Sequence, residues 1–332
     1  MNSISIQKNT GESNLTEIID LIRLASNHLE HNALGDHSWL DLTQGGRSSV
    51  GGFIAKLDGH SHIVGYCQIS KGPTSWGLEY VIHPGHLFNS IQIGTALIKH
   101  ALNEIIAEGG GHVHMWVPKP DEISDAIAST NNMKKARQVI QMRCDIFDIE
   151  ELSGLTKDLN IDKSVVTSVK DLDQHLILTY LKTQQDEQDW LKLNNEAFYK
   201  HPEQGNWDHQ IFNQRKKADW FDPKGLLLCR DTATGELVGS CWIKIHDHHD
   251  LKAGEIYVIA VSPNFQGRKI GKFLMKCGLS YMKSIGLKKA MIYVDSNNLT
   301  AIKLYEQFGF KQDHIDQAYV IDLVDPTAKP TK

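Results

Sequence analysis

No two of the five cysteines stand as C-x-x-C; Cys67, Cys144, Cys229, Cys241 and Cys277 are odd in number and scattered along the chain. Such spacing supplies neither a disulfide framework nor a zinc ligand set, and it suits a reducing compartment. Basic runs are missing too. With a formal net charge of -5 there is no electrostatic footprint for nucleic acid and no polybasic patch for a membrane surface. Nowhere do about eighteen apolar residues follow one another, so no membrane-spanning helix is expected. The opening MNSISIQKNTGESNLT lacks the apolar core of a targeting peptide. The seven tryptophans are not interleaved with basic residues, which excludes a base-stacking platform. Two phosphate-loop signatures, G-x-x-x-x-G-K-[ST] and G-x-G-x-x-G, are absent. The expectation is a cytoplasmic monomer whose partners are small molecules.

What is present is ordinary globular composition, 41% hydrophobic and 23% charged over 332 residues, enough for two domains with a core each. A repeat of domain size supports that division. FIAKLDGHSHIVGYCQIS reads as two strands joined at Asp58-Gly59, and LLLCRDTATGELVGSCWIKIHD has the same design around Thr234-Gly235. Each hairpin is followed by a strand ending at proline (Pro84, Pro263), an irregular loop, and a helix opening at Ile-Gly (Gly94, Gly271). The second copy continues through KKAMIYVDS as a strand, NNLTAIKLYEQFGF as a helix closed by Gly309, and QAYVIDL as a last strand. The reading is an N-terminal domain over 1–150, a linker over 151–173, a C-terminal domain over 174–325 and a tail over 326–332.

The stretch VSPNFQGRKIGKFL carries the clearest chemistry. A strand stopped by proline and turned through glycine into a helix aims unpaired N–H groups and the positive end of the helix at one point. That point suits a pyrophosphate, and Arg268, Lys269 and Lys272 add charge able to reach phosphate oxygens.

The succession of hairpin, strand, Q-G-R-x-x-G loop, helix, strand and N-x-x-A-x-x-x-Y-x-x-x-G-F resembles the GNAT acetyltransferases, well over 174–323 and more faintly over 1–150. NNEAFYKHPEQGNWD, ADWFDPKGLLLC, GEIYVIAVSP and DQAYVIDL together resemble the tandem-GNAT mycothiol synthases. The resemblance implies an α/β fold of two GNAT (acyl-CoA N-acyltransferase) domains, each a mixed, mostly antiparallel sheet flanked by helices. It implies acetyl-CoA as cosubstrate, and acetylation of the cysteinyl amine of desacetylmycothiol by direct transfer. Glu255 falls at the family's base position and Tyr305 where a phenol protonates the departing thiolate. The acyl-CoA contacts implied are Ile259, Ala260 and Val261 on the strand, Gln266, Gly267, Arg268, Lys269, Ile270, Gly271 and Lys272 in the loop, and Asn298, Leu299, Thr300, Ala301, Ile302 and Lys303 on the following helix. Substrate contacts implied are Asp36, Glu203, Lys244, Glu255 and Tyr293. The family pattern places glycine where this chain has Lys269, which bears on the local turn. Asn298 is also a good helix cap, and Tyr305 also fits as a core aromatic.

The first copy differs in kind. Counting back from Pro84 puts Trp76 at the base position, and aligning Met133 with Phe310 puts Ala128 at the phenol position, so both groups are missing, although Glu79 lies near. Its loop GHLFNSIQIG has no arginine or lysine, leaving Tyr80, Val81 and Ile82 as its acyl-CoA contacts if it holds one. It is read as a structural and substrate-shaping partner. The cluster HDHHD at 246–250 is placed in a loop between strands, and no metal is expected. Two alternatives stay open: a GNAT acetyltransferase of another amine, such as a protein N-terminus or an aminoglycoside, and a non-catalytic acyl-CoA sensor.

Overall fold

The computed structural model describes residues 3–9, 14–29, 31–44, 50–72, 75–149, 165–167, 176–199, 204–248 and 251–324. In chain order the elements are β1 (Ile4–Asn9), α1 (Leu15–Leu29), α2 (Asp36–Gln44), β2 (Val50–Leu57), β3 (Gly65–Lys71), β4 (Trp76–Ile82), α3 (Ser90–Ala107), β5 (Gly110–Pro118), α4 (Glu122–Thr130) and β6 (Lys134–Asp145). There follow β7 (Val165–Thr167), β8 (Leu176–Tyr180), α5 (Gln184–Ala197), α6 (His209–Lys216), β9 (Leu226–Asp231), β10 (Leu237–His248), β11 (Leu251–Val261), α7 (Ile270–Ser284), β12 (Lys289–Asp295), α8 (Leu299–Glu306) and β13 (Lys311–Val324).

Two compact units result, unit 1 drawn from Met1–Val139 with His314–Lys332 and unit 2 from Ile140–Asp313. In unit 1 the strand order is β1-β2-β3-β4-β5-β13, and in unit 2 it is β6-β12-β11-β10-β9-β8-β7. β4 and β5 run parallel, as do β11 and β12, while the hairpins before them are antiparallel. This division departs from the expected boundaries. The last strand, expected to close the C-terminal domain, instead pairs antiparallel with β5 from Asp316↔Pro118 to Val324↔Gly110. Residues 140–145 sit with unit 2, where Ile146 N–H donates to Lys288 O at 2.8 Å. Within the expected linker, 165–167 form β7 on β8; the rest of 151–173, and the tail 326–332, lie outside the described residues.

Local chemistry accounts for the elements. α1 buries Ile18, Leu21, Ile22 and Ala25, the three- and four-residue spacing of one helix face. α5 starts at a capping box between Thr183 and Asp186, and α4 at one between Asp121 and Ser124. The repeated Val-Gly has a packing cause. A Cβ on Gly239 would meet Leu274 Cδ1 of α7 at 2.7 Å, and one on Gly65 would meet Ile93 Cγ2 of α3 at 2.8 Å. In each unit the long helix lies too close to the sheet for a side chain there.

The sheet of unit 2 is covered on both faces. α7 and α8 bury Phe273, Leu274, Cys277 and Tyr305 against Ile243 and Ile256. α5 and α6 bury Trp190, Leu193 and Phe212 against Trp242, Val258 and Ala260.

Candidate active site

β10 and β11 pair closely, yet their register shifts between Trp242↔Val258 and Ile243↔Ile256, leaving Tyr257 as an extra residue on β11. Such a bulge twists a strand and re-aims its side chains. Ile256 packs on the α7 side; past the bulge Ile259 and Val261 do so, while Val258 and Ala260 turn to the α5 side. Beside the bulge the parallel pairing of β11 with β12 ends at Ile256↔Ile292, although β11 continues to Val261 and β12 to Asp295. The N–H and C=O groups of Ile259 to Val261 on that side have no β12 partner in the register. The two strands part beyond this point.

Glu255 stands just before the bulge and is only 6% exposed. Its Oε2 lies 2.6 Å from His246 Nε2 and 3.9 Å from Lys244 Nζ. An ionised carboxylate only accepts, so His246 Nε2 carries the proton of that hydrogen bond. Lys244 is the register partner of Glu255 and is itself 4% exposed. Its ammonium sits 5.4 Å from the ring centre of Trp220 and 5.8 Å from that of Tyr257, so aromatic faces and a carboxylate share the buried charge. Arg215, 2% exposed, donates from Nε to the Tyr257 hydroxyl at 3.4 Å and lies over Trp207 at 4.9 Å. A carboxylate, an imidazole and two cations thus line one aromatic-walled side of the sheet.

His246, Arg215, Trp220 and Tyr257 were not singled out from the sequence. HDHHD was placed in a loop, whereas β10 runs to His248 with His246 opposite Ala253. Since Lys244 and His246 are two apart on one strand, their shared face was the available signal.

At the other end of β11, Pro263–Phe265 form a short turn and the chain enters α7 through Gly267 (φ +78°) and Lys269 (φ +61°, ψ +9°). Lys269 therefore keeps the left-handed turn that the family pattern would give to glycine. The helical hydrogen bond from Phe273 N–H to Lys269 O, at 3.1 Å, leaves the amides of Ile270, Gly271 and Lys272 without carbonyls one turn back, as at any helix start. Arg268 and Lys269 are exposed, with Arg268 over the Phe265 ring at 4.9 Å. Lys272 Nζ reaches Gln307 Oε1 at 3.5 Å. These residues could hold a pyrophosphate.

Tyr305 of α8 is 6% exposed, with its ring 6.1 Å from that of Phe310. Burial holds its pKa well above the ordinary phenol value, with a smaller push from Cys241, so the hydroxyl keeps its proton at neutral pH. Asn298 caps α8, accepting from Ala301 N–H at 3.1 Å. Leu299 is exposed at the start of that helix, and Thr300 and Lys303 are exposed beside half-buried Ala301 and Ile302. Tyr293 is 40% exposed and its hydroxyl is hydrogen-bonded by Gln141 Nε2. The Asp36 side chain lies outside the described residues, as does Glu203; the backbone of Asp36 opens α2.

Unit 1 holds the same strand plan with other side chains at the matching positions. Its parallel pairing ends at Leu78↔Met115, which matches Ile256↔Ile292. By that register Gly77, not Trp76, answers to Glu255, and Ser70 answers to Lys244. Counting back from proline failed by one residue because β4 pairs with β3 without a bulge. Trp76 is buried, its Nε1 donating to Gly110 O at 3.1 Å. The match of Ala128 to Tyr305 holds: Met133 N–H donates to Ala128 O at 2.9 Å as Phe310 N–H does to Tyr305 O at 3.2 Å. Glu79 accepts from Gly35 N–H and Ser38 Oγ, each at 2.6 Å, and so ties down the start of α2. α3 begins at Ser90, a turn before Gly94, whereas α7 begins beside Gly271. Helix thus fills positions that are open loop in unit 2, and a Cβ on Gly94 would meet Ile127 Cδ1 at 2.5 Å. Val81 is buried in one core cluster of unit 1, and Tyr80 and Ile82 pack against the other.

A polar depression lined by Asp189, Arg230, Glu236 and Leu237 lies at the far end of β10. Its Arg230 is already paired with Asp186 at 2.9 Å and Asp189 at 2.7 Å, and we assign it no chemistry.

Comparison with known proteins agrees with this geometry. Residues 187–310 match the Acetyltransferase (GNAT) family. The mycothiol acetyltransferase of Acidimicrobium ferrooxidans is 31% identical over 319 residues, 95% of this chain and 96% of that protein. That of Mycolicibacterium smegmatis is 32% identical over 308 residues, covering 91% of this chain and 94% of its own. Among solved structures, a tandem GNAT protein from the clavulanic acid biosynthesis pathway superposes with a TM-score of 0.71 at 13% identity, covering 96% of this chain and 98% of its own. A GCN5-related N-acetyltransferase from Sphaerobacter thermophilus gives 0.67 at 15% identity, covering 96% of both chains. Likeness that extends over nearly the whole length of these relatives, on top of two GNAT folds, makes the chain a member of the mycothiol acetyltransferase family and an acyltransferase.

Proposed function

We propose that unit 2 acetylates the cysteinyl amine of desacetylmycothiol with acetyl-CoA, giving mycothiol and CoA by direct transfer. The observation that carries the chemistry is that β11 holds the buried Glu255, paired across to His246 and Lys244 of β10, and leads at its far end into a helix start with free backbone amides and exposed Arg268 and Lys269. The names of the relatives supply the substrate.

In this reading the 266–272 loop takes the pyrophosphate, and the parted backbone at Ile259, Ala260 and Val261 takes the pantetheine arm and the thioester carbonyl. Asn298 to Lys303 flank the same arm. Glu255 accepts a proton from the ammonium, directly or through water, and the freed amine attacks the carbonyl carbon. Backbone N–H groups stabilise the oxyanion, the C–S bond breaks, Tyr305 protonates the departing thiolate, and the second proton shed by the nitrogen restores the phenol through water. His246 positions the carboxylate. Lys244, Tyr293, Glu203 and Asp36 are the proposed contacts to the sugar and inositol hydroxyls. Unit 1 carries out no transfer of its own.

Direct transfer is supported by the thiols. Burial pushes the pKa of Cys144, Cys229 and Cys241 up to about 12 and holds those of Cys67 and Cys277 well above the ordinary thiol value, so no thiolate is at hand to form an acetyl-enzyme.

The test is mass spectrometry of products after incubating the protein with acetyl-CoA and a panel of amines. One acetyl group on desacetylmycothiol, with CoA released, is expected. Faster turnover of a peptide N-terminus or an aminoglycoside would move the substrate assignment, and no CoA release with any amine would favour the sensor.

A further inference from the structure

Unit 1 gathers histidines where unit 2 has its phosphate-ready loop. His60 and His62 lie in the connection between β2 and β3, while His83 and His86 follow β4 in the connection to α3. Four rings meet there, with centroids 5.0 Å apart for His60 and His86, 5.3 Å for His62 and His86, 5.2 Å for His62 and His83, and 5.3 Å for His83 and His86. One ligating nitrogen from each of His60, His62 and His86 lies within 4.8 Å of the other two. His62 Nε2 is only 3.0 Å from His86 Nε2.

Two neutral imidazoles in such contact can satisfy each other only if one nitrogen bears a proton and the other does not, and the third ring adds a further lone pair or proton to the same small space. A metal ion resolves all three at once. With zinc–nitrogen bonds of about 2.0–2.1 Å, ligands on a tetrahedral ion stand roughly 3.3 Å apart, close to the 3.0 Å of the His62–His86 pair and inside the 4.8 Å that spans all three nitrogens. The donor set is imidazole alone, which suits zinc and not the oxygen-seeking magnesium or calcium.

The surrounding backbone fixes both connections. Ile63 N–H donates to Glu17 Oε1 at 2.6 Å, His83 N–H to Val64 O at 2.9 Å, and Gly85 N–H to His83 Nδ1 at 3.0 Å. His83 therefore braces the cluster, and three ligands remain with a fourth position for water.

We propose that His60, His62 and His86 form a zinc site in unit 1 that ties the β2–β3 connection to the segment between β4 and α3, a function separate from acetyl transfer. Untagged full-length protein, stripped by chelation, would be titrated with zinc chloride by calorimetry. Bound metal would be counted by mass spectrometry after dialysis, and cobalt(II) would report coordination geometry by its visible spectrum.

The wild-type chain should take up one zinc at this cluster, show tetrahedral cobalt bands and gain melting temperature with zinc. His62→Ala and His86→Ala should each lose at least about 10–100-fold in affinity, by the measure of perturbed metal sites. His60→Ala, at an exposed position, should do the same without touching the core. His100→Ala on α3 should bind as wild type does. Zinc held with unchanged affinity by the His62→Ala and His86→Ala double variant would overturn the proposal, since the metal would then sit elsewhere. Failure of the wild-type chain to retain zinc at equimolar concentration would overturn it as well.

Discussion

Glu255 Oε2 is 2.6 Å from His246 Nε2, closer than the 3.9 Å to Lys244 Nζ, even though Lys244 is its direct partner across the two strands. The imidazole, not the ammonium, therefore fixes which way the carboxylate faces.

Replacing the carboxylate by an amide of the same shape should expose its role. Glu255→Gln should lower kcat by about 10² to 10⁴, the usual worth of a general base, with acetyl-CoA binding nearly intact. Steady-state kinetics with a calorimetric check on acetyl-CoA would decide this, and a near-normal kcat would remove Glu255 from the chemistry.

His246 acts through Glu255, so its loss should be milder and should show in the pH profile. His246→Ala is expected to lower kcat by about 10- to 100-fold, to move the acid limb of kcat against pH, and to spare KM for acetyl-CoA. His246→Gln, which keeps an N–H donor, should recover part of the rate. An Ala variant with an unmoved pH profile would make the residue merely structural.

Tyr305→Phe removes one oxygen from a buried ring. We expect turnover at neutral pH to fall by about 10- to 100-fold, with melting temperature changed little, because the ring still fills its place against Phe310. Burial raises the phenol pKa, so in the wild-type chain this donor should stay protonated up to and beyond the ordinary value of about 10. A variant with full turnover would leave Tyr305 as core packing.

Lys269 holds a left-handed conformation that costs a residue with a Cβ about 1 kcal/mol, and glycine far less. Lys269→Gly should stabilise the protein by about 0.5–1 kcal/mol in denaturant unfolding, while the lost charge should raise KM for acetyl-CoA a few-fold. Unchanged or lower stability would mean that the lysine side chain holds the turn by some other contact.

Alkaline stability follows from the cysteines. Their folded pKa values lie above the unfolded value near 9, reaching about 12 for Cys229 and Cys241. The unfolded chain thus releases protons that the folded one keeps, and stability present below pH 9 should be lost steadily as pH rises toward 12. Chemical denaturation at a series of pH values would show the decline. Substituting alanine for Cys229 and Cys241 together should flatten it, whatever their cost at neutral pH.

Much of this was readable in the sequence because packing leaves its mark on residue type. The paired Val-Gly positions mark where a helix lies close on a sheet, and the Ile-Gly pairs mark the helices that lie there. What escaped had no compositional trace. The bulge at Tyr257 uses no glycine or proline, so counting from Pro84 missed the matching position by one. The polar run holding His246 looked like a loop because alternation along an edge of strand is hidden when both faces carry polar groups. The partner of β13 was illegible for a different reason, since its pattern of inward and outward residues would serve against β12 or β5 equally well.

That last pairing sets an order of events during synthesis. β5 leaves the ribosome roughly 200 residues before β13, which at about 5–20 residues per second is a wait of about 10–40 s. Through that interval the edge of β5 has donors and acceptors but no mate, the condition in which strands add to neighbouring nascent chains. A chain that stopped before Lys311 would leave unit 1 open for good, although β1 to β5 had been made correctly.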